Sequence, residues 1–70
     1  MSIFSERLVQ LRKSRGLSQV ALSKEISISP RVYQTYEYGK SEPGLSKLVR
    51  IADFFDVSLD YLAGRTDELK

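Results

Sequence analysis

Apolar residues recur along this chain at intervals of three and four, with charged and amide side chains between them. That is the spacing an α-helix needs to bury one face. Phe4, Leu8 and Leu11 predict a first helix over residues 3–14. Gly16, behind the basic Arg15, supplies a left-handed end, and Leu17 turns back inward. Ser18 caps a second helix over 19–26, whose inner face is Leu22 and Ile26. Ser27-Ile28-Ser29 then breaks the pattern. Proline disfavours the α region for the residue before it and suits the first helical position, so Ser29 is the cap and Pro30 the start of a third helix, 30–38, closed by Gly39. Residues 40–44 (Lys-Ser-Glu-Pro-Gly) carry turn chemistry. A fourth helix, 45–55, follows with Leu45, Leu48, Ile51, Ala52 and Phe55 on one side. Asp56-Val57-Ser58 leads to a fifth, 59–63, capped by Ser58 with Asp60 near its positive end, and stopped by Gly64. No strand, repeat or linker competes. The chain reads as a single all-α domain, 1–70, ending in a tail over 65–70.

The connection between the second and third helices is only about three residues, which forces their axes to cross steeply, as in a helix-turn-helix. In that unit the second helix offers its solvent face to a DNA major groove while the first lies across the backbone. The third helix has suitable residues. Tyr33 and Tyr36, three apart, face inward and are core rather than base-stacking aromatics. Pro30, Arg31, Val32, Gln34 and Thr35 face outward. Arginine pairs in two-pronged fashion with guanine, glutamine with adenine, and threonine offers both a hydroxyl and a methyl for thymine. Gln19 opens the preceding helix where free amides and the dipole attract a phosphate. Ser29, Tyr38 and Lys40 flank the third helix as further phosphate contacts.

Charge sharpens this reading. The net +2 is unevenly spread: residues 1–41 hold seven bases and three acids, and residues 42–70 four bases and six acids. The half with the proposed DNA face is the one that favours a polyanion. Composition then removes whole classes of chemistry. With no cysteine and no histidine, disulfide scaffolds, Cys/His zinc sites, thiolate nucleophiles and histidine acid–base catalysis are excluded. The carboxylates form no convincing catalytic pair, so no enzyme, metal, cofactor or small-molecule ligand is expected. No run of about eighteen apolar residues and no signal peptide is present, so a cytoplasmic domain without a membrane partner is expected. Gly39-Lys40-Ser41 has the end of a phosphate-binding loop but lacks its first glycine and its preceding strand.

The chain also resembles a known family. Leu11-Arg12, Gly16-Leu17-Ser18-Gln19, Leu22, Ser29, Tyr36-Glu37, Gly39-Lys40, Pro43, Leu48, Ile51-Ala52 and Val57-Ser58-Leu59-Asp60-Tyr61-Leu62 are similar, in order and without gaps over residues 7–64, to the Xre family of phage Cro and repressor-type DNA-binding domains. The resemblance implies a compact five-helix, lambda-repressor-like fold and a sequence-specific regulator, most simply a repressor. It implies base contacts at Pro30, Arg31 and Thr35, phosphate contacts at Gln19 and Lys40, and a structural ion pair between Arg12 and Glu37. Two positions depart from it. Ser27 stands where the family commonly has glycine, and Tyr38 where it often has an asparagine that caps the helix or meets the DNA backbone; the Tyr38 hydroxyl is the substitute.

One such domain reads too little DNA to be selective, so a homodimer on a roughly palindromic double-stranded operator is expected. The expected pairing surface is Phe54, Leu59, Tyr61 and the loop before the fourth helix. Arg7, Lys13 and Arg15 read as ordinary solvated charges. The rival reading is a protein-interaction module, an antitoxin or adaptor domain on the same fold, because fold alone does not fix function.

Overall fold

The computed structural model describes residues 2–70 and contains α1 (Ile3–Ser14), α2 (Gln19–Glu25), α3 (Pro30–Glu37), α4 (Leu45–Phe55) and α5 (Leu59–Ala63). The expected helices are all present; α2 and α3 each stop one residue earlier, with Ile26 and Tyr38 as C-caps. Serine hydroxyls cap four N-termini: Ser2 accepts from the Ser5 amide at 3.1 Å, Ser18 from Ala21 at 3.0 Å, Ser29 from Val32 at 3.2 Å and Ser58 from Tyr61 at 2.9 Å. Each satisfies one of the amides a helix start leaves unpaired.

The C-termini share one device. After each described helix the chain steps into the left-handed region, at Gly16, Ser27, Gly39, Asp56 and Gly64. The next amide then reaches back five residues to a carbonyl of the last turn: Leu17 to Arg12, Ile28 to Ser23, Lys40 to Thr35, Val57 to Ala52 and Arg65 to Asp60. This Schellman closure normally takes glycine. Ser27 (φ 57°) and Asp56 (φ 56°) adopt it with a Cβ in place. A side chain there costs about 1–2 kcal/mol, less for aspartate, which visits this region more readily. Ser27→Gly is therefore expected to raise stability by about 0.5–1 kcal/mol, after the extra unfolded-chain entropy of glycine is subtracted. A urea midpoint that stays put or falls would refute strain at Ser27.

The core is built by Phe4 and Leu8 of α1, Leu22 of α2, Tyr33 and Tyr36 of α3, Ile51, Ala52 and Phe55 of α4 and Leu62 of α5, with Ile26 and Ile28 from the turn between α2 and α3. Leu11, Leu17, Leu48, Phe54 and Val57 pack around it. Leu45 departs from expectation and is 71% exposed. It is the first residue of α4, one turn before the stripe meets the body of the protein, so helical periodicity places it on the right face but nothing lies opposite.

One further expectation is corrected. Arg7 is not a solvated charge: its guanidinium lies 4.2 Å from the Tyr61 ring centroid, and it donates to the carbonyls of Tyr61 and Thr66 and to Asp67 at 2.8 Å. In residues 65–70 the Leu69 carbonyl accepts from the Ser58 amide at 2.7 Å and Lys70 pairs with Asp56 at 2.6 Å. Arg15 likewise sits over Phe54 and Phe55, 5.3 and 5.5 Å from their centroids.

Candidate nucleic-acid interface

The interface starts at the turn. Left-handed Ser27 reverses the chain, and Ile28, almost fully buried, seats the corner on the core between α2 and α3. From α4, Arg50 donates to the carbonyls of Ile26 and Ser27 at 2.9 and 3.0 Å, closing the open end of α2. Pro30 then begins α3 as its first residue under the Ser29 cap.

What holds α3 in place is a knot around Glu37, whose side chain is 3% exposed. Arg12 Nε and Nη2 donate to its two carboxylate oxygens at 2.6 and 3.2 Å, and Gln19 Nε2 donates at 2.9 Å. The Tyr33 hydroxyl, one helical turn back, donates to the same carboxylate. Arg12 Nη1 also holds the Leu17 carbonyl at 2.9 Å. One carboxylate thus ties α1, the loop to α2, the start of α2 and both ends of the inner face of α3. Burial pushes the Glu37 carboxyl upward, but hydrogen bonds from Arg12, Tyr33 and Gln19 together hold it below the usual glutamate range. Burial, reinforced by the bond to Glu37, pushes the Tyr33 phenol up, and the bond to Glu37 raises Arg12. Among the described residues no buried side-chain polar atom lacks a partner.

With Tyr33, Tyr36 and Glu37 turned inward, the outer face of α3 consists of Pro30, Arg31, Val32, Gln34 and Thr35. Arg31 and Val32 are exposed, and Pro30, Gln34 and Thr35 half-buried. Lys40 and Tyr38, the latter 57% exposed, stand just past the helix end, and Ser29 is exposed at its start. Among the described residues, neither Arg31 nor Lys40 is in an ion pair, whereas Asp67, Asp60 and Asp56 in the acidic half are paired with Arg7, Arg65 and Lys70. The face therefore combines two uncompensated cations with one amide and small apolar groups.

Gln19 also has an internal partner: one of its two amide N–H groups is given to Glu37, which leaves the second N–H and the carbonyl oxygen for other partners. Arg50 was missed altogether. It lies on α4, twenty-three residues beyond the turn it closes, and no local spacing links the two. Among the described residues no helix is long and apolar enough to cross a membrane, and no cluster of three metal-ligating side chains occurs.

Comparison with known proteins agrees with this geometry. A family model described as helix-turn-helix matches residues 8–62. The chain is 41% identical over 66 residues to an uncharacterised HTH-type transcriptional regulator, YobD, of Bacillus subtilis, covering 94% of this chain and 59% of that protein. It is 43% identical over 65 residues to the transcriptional repressor RstR of the cryptic phage CTXphi of Vibrio cholerae, covering 90% and 58%. The crystal structure of a transcriptional regulator from Listeria innocua superposes with a TM-score of 0.82 at 31% identity, over 96% of this chain and 63% of that one. The chain thus spans under two thirds of the length of each of these relatives.

Proposed function

Because the chain belongs to the Xre-type helix-turn-helix family, we propose that it binds double-stranded DNA sequence-specifically and regulates transcription as a repressor, by occupying an operator and without catalysing a reaction. In this reading α3 enters the major groove and α2 lies across the backbone. The observation that carries it is the outer face of α3, held rigid by the Glu37 knot and carrying two unpaired cations. Arg31, Gln34, Thr35, Val32 and Pro30 meet base edges; Lys40, Ser29, Tyr38 and the start of α2 at Gln19 meet phosphates. Kinship with a named phage repressor supports repression as the mode of action. Such a regulator works in the cytoplasm, where its operator is.

The protein acts as a homodimer, setting two recognition helices about 34–36 Å apart on successive grooves. Of the expected pairing surface Leu59 is free, whereas Phe54 and Tyr61 are covered by Arg15 and Arg7. Leu45 and Val49, exposed one turn apart on α4, extend the available apolar surface. Sedimentation of one subunit only on the selected duplex would remove the dimer from this reading.

The direct test is selection of bound duplexes from a random pool, followed by affinity measurements across a salt series. A specific site and a steep loss of affinity with salt are expected, since phosphate neutralisation releases counterions. Lys40→Ala should weaken cognate and scrambled duplexes alike and reduce the salt slope by about one. Absence of salt-sensitive retention on duplex DNA would favour a protein-interaction module instead.

A further inference from the structure

Thr35 lies at the centre of the outer face of α3, yet its hydroxyl is already committed. Oγ1 lies 2.6 Å from the Val32 carbonyl, which can only accept, so the single hydroxyl proton points there. The Ser41 hydroxyl is 2.5 Å from the same Oγ1 and must therefore be the donor in that contact. Ser41 is itself held by its backbone: the amides of Lys40 and Ser41 both donate to the Thr35 carbonyl, at 2.9 and 3.3 Å. The turn after Gly39 thus folds back on one residue of α3 and grips both its carbonyl and its side chain. Thr35 is left with no proton to donate: what it can still offer a ligand is its γ-methyl group and one lone pair of Oγ1. Donating the hydroxyl proton to a base would break the bond to Val32 to make another of similar strength, so the fold favours the internal bond and the methyl is the group free to meet a base without loss.

We propose that Thr35 reads DNA through its γ-methyl against the C5-methyl of a thymine, and that Ser41 is the positioning residue that locks it in this orientation. The inference rests on the reading that α3 enters the major groove, where the thymine methyl is displayed. It assigns Ser41, outside the recognition helix, a part in specificity, and it restricts Thr35 to one of the two contacts its chemistry allows.

The test uses the duplex obtained by selection, with each thymine replaced singly by deoxyuridine, which keeps the base pair and loses only the methyl. At one position per half-site this is expected to weaken the wild-type protein about fourfold, the effect of burying one methyl-sized group. Thr35→Val, which keeps the methyl, should retain that penalty. Thr35→Ser, which keeps the hydroxyl and drops the methyl, should abolish it. Ser41→Ala should shrink it below about twofold while the thermal midpoint and helix content stay close to wild type, so the effect is one of orientation rather than folding. If no thymine shows a penalty that Thr35→Ser erases, or if Thr35→Val erases it as completely, the inference is overturned while DNA binding stands. Failure to select any duplex would instead overturn the DNA-binding reading on which it rests.

Discussion

Glu37→Ala is expected to cost about 3–5 kcal/mol, the range for removing one partner of a buried ion pair and leaving the other uncompensated. Total stability for a chain of 70 residues is on the order of 4–10 kcal/mol, so the variant should lose at least about a third of it, and all of it at the low end of that range. The loss is this large because four donors converge on one carboxylate. Without it, the guanidinium of Arg12, with a side chain 14% exposed, the fully buried Tyr33 and the amide of Gln19 all lose their acceptor. Glu37→Gln keeps one carbonyl acceptor and should lose less. The two variants also predict a pH dependence. Because the Glu37 carboxyl is held below its ordinary value of 4.5 in the folded protein, the unfolded chain binds its proton first as pH falls. Its stabilisation is therefore complete above that value and is lost progressively as pH drops through the depressed native one. Urea titrations at pH 7 and below 4.5 measure both effects. Glu37→Gln should flatten the acid limb, and an alanine variant within about 1 kcal/mol of wild type would show that the knot is not what holds α3.

Arg31→Ala carries the largest expected effect on recognition. A two-pronged contact from arginine to guanine is worth about 1–3 kcal/mol of discrimination, or roughly 5- to 150-fold against the wrong base pair. Arg31 is exposed on the second residue of α3, next to the N-terminus that such helices direct into the groove, and no acid within the described residues holds it back. The variant should therefore lose its preference at one base pair of each half-site and keep most of its affinity for scrambled DNA. Reselection from a random pool reads this directly, as one position that becomes degenerate. Equal losses on cognate and scrambled duplexes would make Arg31 a phosphate contact. The contrast with Lys40→Ala, whose loss should be uniform across sequences, separates positioning from reading.

The helix boundaries were legible because they depend on neighbours in sequence. Ser18, Ser29 and Ser58 cap the amides that follow them within three residues, and Gly16, Gly39 and Gly64 accept a conformation closed by carbonyls of the preceding turn. The inward turn of Tyr33 and Tyr36 follows from the same short-range periodicity. Composition was equally decisive in excluding thiol, imidazole and Cys/His metal chemistry, because absent residue types cannot be restored by folding. At the turn the resemblance to a glycine-bearing family located the strain of Ser27, which φ of 57° makes explicit.

Other features depended on partners remote in the chain. Arg7 and Asp67, sixty residues apart, meet only because α5 and the segment after it return to α1, and Arg50 reaches the α2–α3 turn only because α4 passes beside it. Leu45 follows the helical stripe but faces solvent, since periodicity determines which side of a helix a residue occupies and not whether another element lies opposite. The same limit governs the hydroxyl of Thr35. Residue type establishes what a side chain can donate or accept, whereas only the tertiary structure decides which of those capacities is already spent inside the protein and which remains for a ligand. For this chain the sequence by itself determined five helices, the serine caps of three of them, a core stripe and the residues on the outer face of α3. The fold decided that one buried carboxylate holds that face in place, because three of its four donors, two from Arg12 and one from Gln19, come from segments that local sequence cannot bring together.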